Sequence, residues 1–339
     1  MHLYIRPQSS HIMLCITNSK TDPYFNLATE EYLLKNFTAD CFMLWQNENA
    51  IVVGKHQNAL AEINMDYVNS KNIAVVRRIS GGGTVFHDLG NLNFTFIKNG
   101  HEGHLVDFKK YTLPILEVLQ QLSVNAKFQG KNDLTIDGKK ISGNAEHVYK
   151  KRVLHHGTLL FSSVIDDLQL ALKTDPQKYT DKAVKSIRSR VTNIKEHLGE
   201  NMDIMEFRDL IFQHIMKIFP HSKAYELSPY DTKSINKLRK EKYLTWEWNF
   251  GYSPKYDFKK SFNVNGELIQ VYLNVSGGII QMARIDGNFS NKDDLRKIQK
   301  ILTGSKHDKS VLLTKLRKAP LSDYFHSTIT SEEFIRGIF

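Results

Sequence analysis

Residues 77–88 read RRISGGGTVFHD, and this stretch sets the kind of fold that the chain can have. Three consecutive glycines, residues 81–83, come just after the β-strand pattern at residues 74–79. Glycine has no Cβ, so such a backbone can approach a ligand closely and turn several N–H groups towards one point. The two arginines offer planar, permanently charged groups for phosphate or carboxylate. The pattern predicts an anion-binding loop at the end of a β-strand.

This glycine loop matches neither of the common nucleotide-binding patterns. No Gly-Lys-Ser/Thr follows, as a P-loop requires, and the spacing differs from G-x-G-x-x-G. Taken by itself, the stretch could equally be a flexible hairpin loop beside two ordinary surface arginines.

A second candidate segment is GKNDLTIDGKKISGNA at residues 130–145. Asp137-Gly138 is a pair that a tight type I′ turn favours, so the segment predicts a β-hairpin. Side chains alternate along a strand, which puts Lys139 and Lys140 on opposite faces. The inward lysine can hold a carboxylate against a phosphate, although an isolated lysine pair is more often a solvated surface.

A third segment, LHHGTLL at residues 154–160, places two histidines on a predicted strand. Adjacent strand residues face opposite sides, which argues against a metal pair formed by His155 and His156. A strand histidine is more often a packing or hydrogen-bonding residue than a catalytic one. The residues alone leave both interpretations open.

Composition limits the classes of protein that remain. The 339 residues predict two domains, and no apolar run approaches the roughly 20 residues of a membrane helix. The net charge of +10 could attract nucleotides, acidic proteins or nucleic acid, but the excess lysines are scattered, so we expect no nucleic-acid partner. Cys15 and Cys41 lie in apolar contexts and form no C-x-x-C pair, which predicts reduced, buried thiols in a cytoplasmic protein.

Periodicity predicts how the elements follow one another. Strands are expected at residues 42–46, 50–53, 74–79, 92–97 and 153–161, and helices at 26–37, 113–122, 204–219 and 233–242. The lysine-rich residues 173–190 lack a period and predict a long mobile loop. Hairpin signals at residues 264–266 and 276–278 mark a second unit. We therefore expect an N-terminal overhang at 1–12, a first domain at 13–245 and a second at 256–339.

Six segments together resemble lipoate–protein ligase A of bacteria, in that family's order. They are DPYFNLATEE (22–31), RRISGGGTVFHDLGN (77–91), GKNDLTIDGKKISGNA (130–145), HHGTLLF (155–161), SIRSRVTN (186–193) and WEWNFG (246–251). The resemblance runs from about Met13 to the C-terminus. It implies an α/β (α+β) fold: a large catalytic domain of the biotin/lipoate protein ligase type, with mixed β-sheets and packed helices, plus a small C-terminal α/β accessory domain.

The resemblance also implies an activity. Such an enzyme uses ATP to activate lipoate to lipoyl-AMP with release of pyrophosphate, and Mg²⁺ accompanies the nucleotide. It then transfers the lipoyl group to a lysine of lipoyl domains of 2-oxoacid dehydrogenase complexes or of the glycine cleavage H protein. We expect a monomer without a membrane partner.

Individual roles follow from the same resemblance. Lys140 is expected to be catalytic, bridging the lipoate carbonyl and phosphate oxygens. Apart from the resemblance, the chemistry of Mg²⁺ makes Asp133 the candidate magnesium ligand, either directly or through water. Nucleotide contacts are expected from Arg78, Gly83, Thr84, Val85, Phe86, Asp133, Lys140 and Arg188. Lipoate contacts are expected from Arg77, Ser80, Gly81, Gly82, His87, Lys140 and His156.

Two further parts of the site are expected. An apolar slot for the acyl tail would be lined by Val76, Ile79, Val85 and Phe86. The basic side chains of Lys185, Arg188 and Arg190 could fold over the phosphates, or this stretch could be a solvated linker.

Three alternatives stay open. An ATP-independent octanoyl or lipoyl transferase of the same fold would use a cysteine nucleophile, but neither Cys15 nor Cys41 lies near the glycine loop or the Lys140 hairpin in sequence. A non-catalytic lipoate-binding module would not need Lys140. Biotin could replace lipoate as the acid, although the segments resemble the lipoate enzymes more closely.

Overall fold

The structure is a computed structural model that describes residues 12–100, 105–172, 175–187, 189–287, 292–319, 321 and 329–339. In chain order, the described strands are β1 Met13–Thr17, β2 Asp40–Trp45, β3 Ala50–Val53, β4 Ala74–Arg77, β5 Val85–His87, β6 Asn91–Asn99, β7 Ala126–Gln129, β8 Asp133–Ile136, β9 Lys139–Tyr149, β10 Arg152–Leu160, β11 Tyr179–Asp181, β12 Ser222–Ala224, β13 Tyr256–Val264, β14 Glu267–Ser276 and β15 Ile279–Gly287.

The described helices lie between these strands and after the last of them. They are α1 Pro23–Asn36, α2 Ala59–Glu62, α3 Met65–Ser70, α4 Phe108–Gln121, α5 Ile165–Ala171, α6 Ile204–Ile218, α7 Pro229–Leu238, α8 Lys292–Leu302, α9 Lys309–Leu316 and α10 Ser331–Arg336. Single 3₁₀ turns lie at Pro176–Lys178 and Ile194–His197, and π-helical turns at Arg239–Tyr243 and Glu247–Gly251. No described helix is long and apolar enough to cross a membrane.

The main sheet has the described strand order β12-β1-β2-β6-β10-β9-β8-β7. β1 pairs in parallel with both of its neighbours, and the other pairs are antiparallel, so the sheet is mixed. Apolar residues of α4 and α6 cover one face, and those of α1 and α7 contribute to the core on the other face. The sheet is therefore buried on both sides.

A small sheet of order β4-β3-β5 carries the glycine loop. β3 pairs in parallel with β4 and antiparallel with β5, so the chain leaves β4, forms residues 78–84 and returns on the far side of β3. This crossing fixes the loop at one end of the small sheet.

The C-terminal residues form a separate core. β13, β14 and β15 are antiparallel, and apolar residues of α8, α9 and α10 pack on them. β11, from the long segment that precedes α6 in the chain, pairs with β13 as the edge strand of this sheet. The expectation of an irregular loop over residues 173–190 is therefore wrong for Tyr179–Asp181, because the C-terminal sheet provides pairing partners that local sequence cannot reveal.

One local expectation is wrong and another is confirmed. Helix α4 begins at Phe108, so Pro114 lies inside the helix rather than in its first turn. Asp107 accepts a hydrogen bond from the Lys110 N–H at 3.0 Å, which caps the helix earlier than the apolar pattern indicated. The Asp137-Gly138 hairpin is confirmed, with φ of 48° and 74°, the positive values that a type I′ turn needs.

Candidate functional site

Arg78 orders the glycine loop from inside. Its side chain is 5% exposed, and Nη2 donates to the carbonyl oxygens of Gly81 at 2.6 Å and Gly83 at 2.7 Å. Nε donates to Ser80 Oγ at 3.0 Å, and Nη1 to the Val52 carbonyl at 3.0 Å. Burial lowers the pKa of Arg78 to about 10, so the guanidinium stays charged at neutral pH. The loop thus has a fixed positive charge beneath it.

Two glycines make the loop conformation possible. Gly82 has φ of 90°, in the region where residues with a side chain are strained. Gly54, which follows β3, approaches the loop so closely that a Cβ on it would lie 2.0 Å from the Gly82 carbonyl oxygen. The loop therefore packs against the end of β3 with no room for a methyl group.

Arg77 does not point towards the loop, although it was expected to contact substrate. The side chain is fully buried, and Nη1 donates to the carbonyl oxygens of Gly54 and Gln57 at 2.9 and 2.8 Å. Nη2 donates to the Asn249 carbonyl and to Ser253 Oγ. These acceptors all belong to the protein itself. The Arg77 side chain therefore joins the small sheet to residues 248–253.

A chain of buried polar groups fixes Ser80. Ser80 Oγ lies 2.6 Å from His156 Nε2, and His156 Nδ1 lies 2.9 and 3.0 Å from the two Glu30 oxygens. Thr95 Oγ1 donates to Glu30 at 2.6 Å, and Trp45 Nε1 donates to Thr95 at 2.9 Å. With Nδ1–H facing the carboxylate, Nε2 accepts from the serine hydroxyl. The predicted residues Ser80 and His156 are thus brought together.

The two ring nitrogens of His87 differ in their hydrogen bonding. It is 2% exposed, and Nδ1 lies 3.0 Å from Asn47 Nδ2, whereas Nε2 has no partner among the described residues. Burial, assisted by the charge of Arg78, lowers the pKa of His87 to about 3, so the ring is neutral at neutral pH. A buried polar atom without a partner is uncommon and provides a hydrogen-bonding position for a ligand group.

Lys140 lies at the start of β9 and points inward. Lys139 is exposed, whereas Lys140 is half-buried with its Nζ 2.8 Å from Asp133 Oδ1. A Cβ on Gly143 would lie 3.0 Å from Lys140 Nζ, so the lysine side chain runs along the strand over this glycine. The alternation argument for the Lys-Lys pair is confirmed.

β9 brings Lys140 and the glycine loop to one face of the main sheet. Gly143 and Ala145 lie two residues apart and so face the same side. Lys140 Nζ lies over Gly143, and the Cβ of Ala145 is 3.9 Å from the Cβ position of Gly82. Gly143 and Ala145, which these two groups contact, are about 7 Å apart along the strand, two residues of rise.

Ser186, in the long segment that follows β11, contacts the glycine loop. Ser186 Oγ accepts a hydrogen bond from the Thr84 N–H at 2.9 Å, and a Cβ on Gly83 would lie 3.1 Å from the same oxygen. Ser186 Oγ also donates to Glu62, and Gln57 Nε2 donates to it at 3.1 Å. The segment expected to close over a nucleotide is therefore already in contact with the loop.

The basic residues of this segment have different positions. Lys185 Nζ pairs with Asp181 at 2.7 Å, and the Arg190 carbonyl accepts from the Lys140 N–H at 2.8 Å. Arg188, expected to contact the nucleotide, lies outside the described residues.

The apolar residues near the loop divide between two cores. Val76, Ile79 and Val85 share one cluster with Trp45. Phe86 is 3% exposed and packs in a different cluster on the other side of the small sheet. Strand alternation separates Val85 from Phe86, so the Phe86 side chain is not part of the slot that the other three could line.

The described residues contain no cluster of three or more histidine, cysteine or carboxylate side chains that could hold a metal ion. Asp133 provides a single, partly exposed carboxylate beside Lys140. One carboxylate suits Mg²⁺ only where water and substrate phosphates complete the coordination.

Comparison with known proteins assigns this arrangement. Residues 22–216 match the lipoyl protein ligase A/B catalytic domain, and residues 253–338 match the bacterial lipoate protein ligase C-terminus. Lipoate-protein ligase LplJ of Bacillus subtilis is 41% identical over 332 residues, which cover 96% of this chain and 100% of that protein. The chain belongs to the lipoate–protein ligase family. It is an enzyme of the ligase class, as the segments at residues 77–91 and 130–145 indicated.

Solved structures of this family share the fold. LipL1 of P. falciparum, in complex with lipoate, superposes with a TM-score of 0.61 at 24% identity, covering 90% of this chain and 94% of that one. A lipoate-protein ligase A bound with ATP gives a TM-score of 0.60 at 23% identity, covering 72% and 100%. The α/β architecture expected from the resemblance is confirmed.

The two cysteines of this chain are free and lie in the core. Cys15 and Cys41 are buried in neighbouring strands β1 and β2, and burial raises the pKa of each thiol to about 12. A protonated, buried thiol is a poor nucleophile. Neither cysteine therefore supports the transferase alternative.

Three residues that hold site residues in place were not predicted from the sequence. Glu30 lies in the segment at residues 22–31 but had no assigned role, and Gln57 and Glu62 lie outside the quoted segments. They hold His156, Thr84 and Ser186 respectively. One feature of the sequence could have pointed to Glu30. Glu30-Glu31 is an acidic pair in the middle of a helix whose other side chains are largely apolar.

Proposed function

We propose that this ligase activates lipoate with ATP and transfers the lipoyl group to a lysine of an acceptor protein, with Lys140 as the catalytic residue. The observation that carries the proposal is the presence of the Lys140 ammonium and the Arg78-supported glycine loop on one face of β9. An acid and a nucleotide are both anions, and these two cationic groups offset their repulsion when they meet.

In the first step, a lipoate carboxylate oxygen attacks the α-phosphorus of ATP. The bond from that phosphorus to the bridging oxygen of pyrophosphate breaks, and pyrophosphate leaves. Lys140 bridges the carboxylate and the α-phosphate, while N–H groups of Gly83 and Thr84 bind phosphate oxygens. The Thr84 N–H already donates to a hydroxyl oxygen, Ser186 Oγ, which supports its use as an oxygen-binding group.

In the second step, the neutral ε-amine of the acceptor lysine attacks the carbonyl carbon of lipoyl-AMP. The carbon–oxygen bond to AMP breaks, AMP leaves, and the amine nitrogen loses a proton as the amide forms. Negative charge develops on the carbonyl oxygen, and Lys140 stabilises it.

The acyl tail occupies the apolar space beside Trp45, Val76, Ile79 and Val85. The free Nε2 of His87 and the Ser80 hydroxyl supply the polar contacts at its border. Such a combination of an apolar lining with few polar groups is typical of small-molecule sites.

Mg²⁺ would be held by Asp133 together with nucleotide phosphates and water, and it would shield the charge of the departing pyrophosphate. Asp133 also positions Lys140 through their 2.8 Å ion pair, which keeps the ammonium over Gly143.

We also propose a role for each domain. Residues 13–245 form the catalytic domain, and residues 256–339 an accessory domain. Lipoyl domains and the H protein are the proposed acceptors, the enzyme acts as a monomer, and the two unpaired cysteines favour the reducing cytoplasm.

The test compares Lys140→Ala with Lys139→Ala in an assay of pyrophosphate release and lipoylation of an apo lipoyl domain. Lys139 is exposed next to the site and serves as the matched control. Loss of one preorganised donor should slow Lys140→Ala by about 10²- to 10³-fold, while Lys139→Ala keeps wild-type rates.

Two results would contradict the proposal. Lipoylation by the wild-type enzyme without ATP would identify a transferase. Equal pyrophosphate release by Lys140→Ala and wild type would remove Lys140 from the chemistry.

A further inference from the structure

Four lysines lie close together at the end of the site that is farther from Lys140. We call Lys35, Lys55, Lys150 and Lys242 the lysine rim. Lys35 and Lys150 are exposed, and Lys55 and Lys242 are half-buried. The Nζ atoms of Lys35 and Lys150 lie 5.5 and 5.3 Å from the centre of one ring, that of Tyr149 at the end of β9.

The rim has a positive charge that the described part of the chain does not neutralise. Lys35 and Lys242 share a single carboxylate, Glu31, at 2.6 and 2.7 Å, and Glu31 is only 2% exposed. Lys55 and Lys150 have no carboxylate partner among the described residues. One buried negative charge therefore faces four positive charges.

The rim is continuous with the site. The Lys55 N–H donates to the Ser80 carbonyl at 2.9 Å, directly below the glycine loop. His147 lies on β9 two residues beyond Ala145, and Lys55, Lys35 and Lys242 are the cations that add to burial in lowering its pKa to about 4. His147 is about 13 Å from Gly143, four residues of strand rise.

We infer that the lysine rim is the docking surface for the acceptor, a folded domain that presents carboxylates around its target lysine. The inference rests on the proposed function, because the acceptor lysine must reach the carbonyl held beside Lys140. A protein interface of ordinary size buries about 800 Å² per partner, a patch roughly 30 Å across. Tyr149 is six residues along β9 from Gly143, about 20 Å of strand rise, so one such patch can include both Lys140 and the rim. Charge complementarity then favours an acidic partner face.

The experiment uses the full-length enzyme and an apo lipoyl domain. The double variant Lys35→Gln/Lys150→Glu removes charge from the two exposed positions and leaves Glu31 paired with Lys242 and Tyr243. Lys217→Glu is the control, because Lys217 is an exposed lysine on α6, on the other face of the main sheet.

The double variant should raise the KM for the lipoyl domain by about threefold to tenfold at low salt, and added salt should reduce the difference from wild type. ATP–pyrophosphate exchange with lipoate, which needs no acceptor, should be unchanged, and Lys217→Glu should behave as wild type.

Three outcomes would overturn the inference: an unchanged KM for the lipoyl domain, a change no larger than that of Lys217→Glu, or a raised KM for ATP in the exchange assay, which would assign the rim to the nucleotide. Failure of the proposed function is distinguishable, because wild-type enzyme would then show no exchange at all.

Discussion

At the scale of single residues, the two neighbouring arginines show how position changes the role of one side-chain type. Arg78 donates to carbonyl oxygens of the glycine loop, whereas Arg77 donates to those of Gly54, Gln57 and Asn249. Both are buried, and burial lowers the pKa of each to about 10. Strand alternation at the end of β4 sends them to opposite sides, so one organises the site and the other joins it to residues 248–253.

Gly54 provides a test of the loop geometry at this scale. In Gly54→Ala the new Cβ would lie 2.0 Å from the Gly82 carbonyl oxygen, so the loop must shift. We expect a loss of about 1–3 kcal/mol in the free energy of unfolding and a raised KM for ATP. Thermal unfolding and pyrophosphate exchange measure the two effects.

Gly199→Ala is the matched control, because a Cβ there meets no atom within 4 Å. If Gly54→Ala unfolds and binds ATP like Gly199→Ala, then the loop does not pack against the end of β3 as described.

At the scale of elements, the short strand β11 links the two cores. It pairs with β13 through residues 179–181, and the chain then continues directly into Ser186, which contacts Gly83 and Thr84. Asp181 adds a hydrogen bond from Asn58 at 3.1 Å. A few residues of chain therefore connect the C-terminal sheet to the glycine loop.

Tyr179→Ala tests this connection. The Tyr179 ring contacts those of Tyr256 and Phe258 at 5.7 and 5.3 Å between centroids. Each aromatic contact is worth about 0.5–1.5 kcal/mol, so its loss should make trypsin cleavage after Lys182 and Lys185 about tenfold faster.

Thr180→Ala is the control for the same strand, because the Thr180 side chain is exposed. Equal cleavage rates in Tyr179→Ala and Thr180→Ala would show that the aromatic contacts do not hold the segment.

At the scale of the whole molecule, buried neutral histidines make the fold sensitive to acid. His307 joins the C-terminal core, with Nδ1 2.8 Å from Tyr256 Oη and Nε2 2.9 Å from the Ile338 carbonyl oxygen. Burial lowers its pKa from 6.5 to about 4. Between these values the unfolded chain takes up a proton that the folded protein does not, so stability falls as the pH drops from about 6.5 towards 4.

The expected size follows from the two pKa values. Their difference corresponds to roughly 3 kcal/mol, at about 1.4 kcal/mol per pKa unit. In His307→Gln, which cannot titrate, the decrease in unfolding temperature between pH 7 and pH 4 should be smaller than in wild type. The exposed His221→Gln should keep the wild-type pH dependence, and a parallel decrease in all three proteins would exclude this role for His307.

The local sequence was sufficient for the elements whose signals are local. Strand alternation separated Lys139 from Lys140, the Asp137-Gly138 pair specified the hairpin turn, and the glycine run indicated a loop, in which Gly82 has positive φ. The segments at residues 77–91 and 130–145 also pointed to the family to which the chain belongs. These features depend on steric rules that act over a few residues, so they can be read directly from the chain.

Only the tertiary structure decided which side chains meet across long separations. The Glu30–His156–Ser80 chain joins three distant segments, β11 became a strand because β13 lies beside it, and acceptors on residues 248–253 hold the Arg77 side chain. In each case, hydrogen-bonding groups that folding removes from water pair with groups that are distant in the sequence. The path of the whole chain decides which groups come close enough to pair.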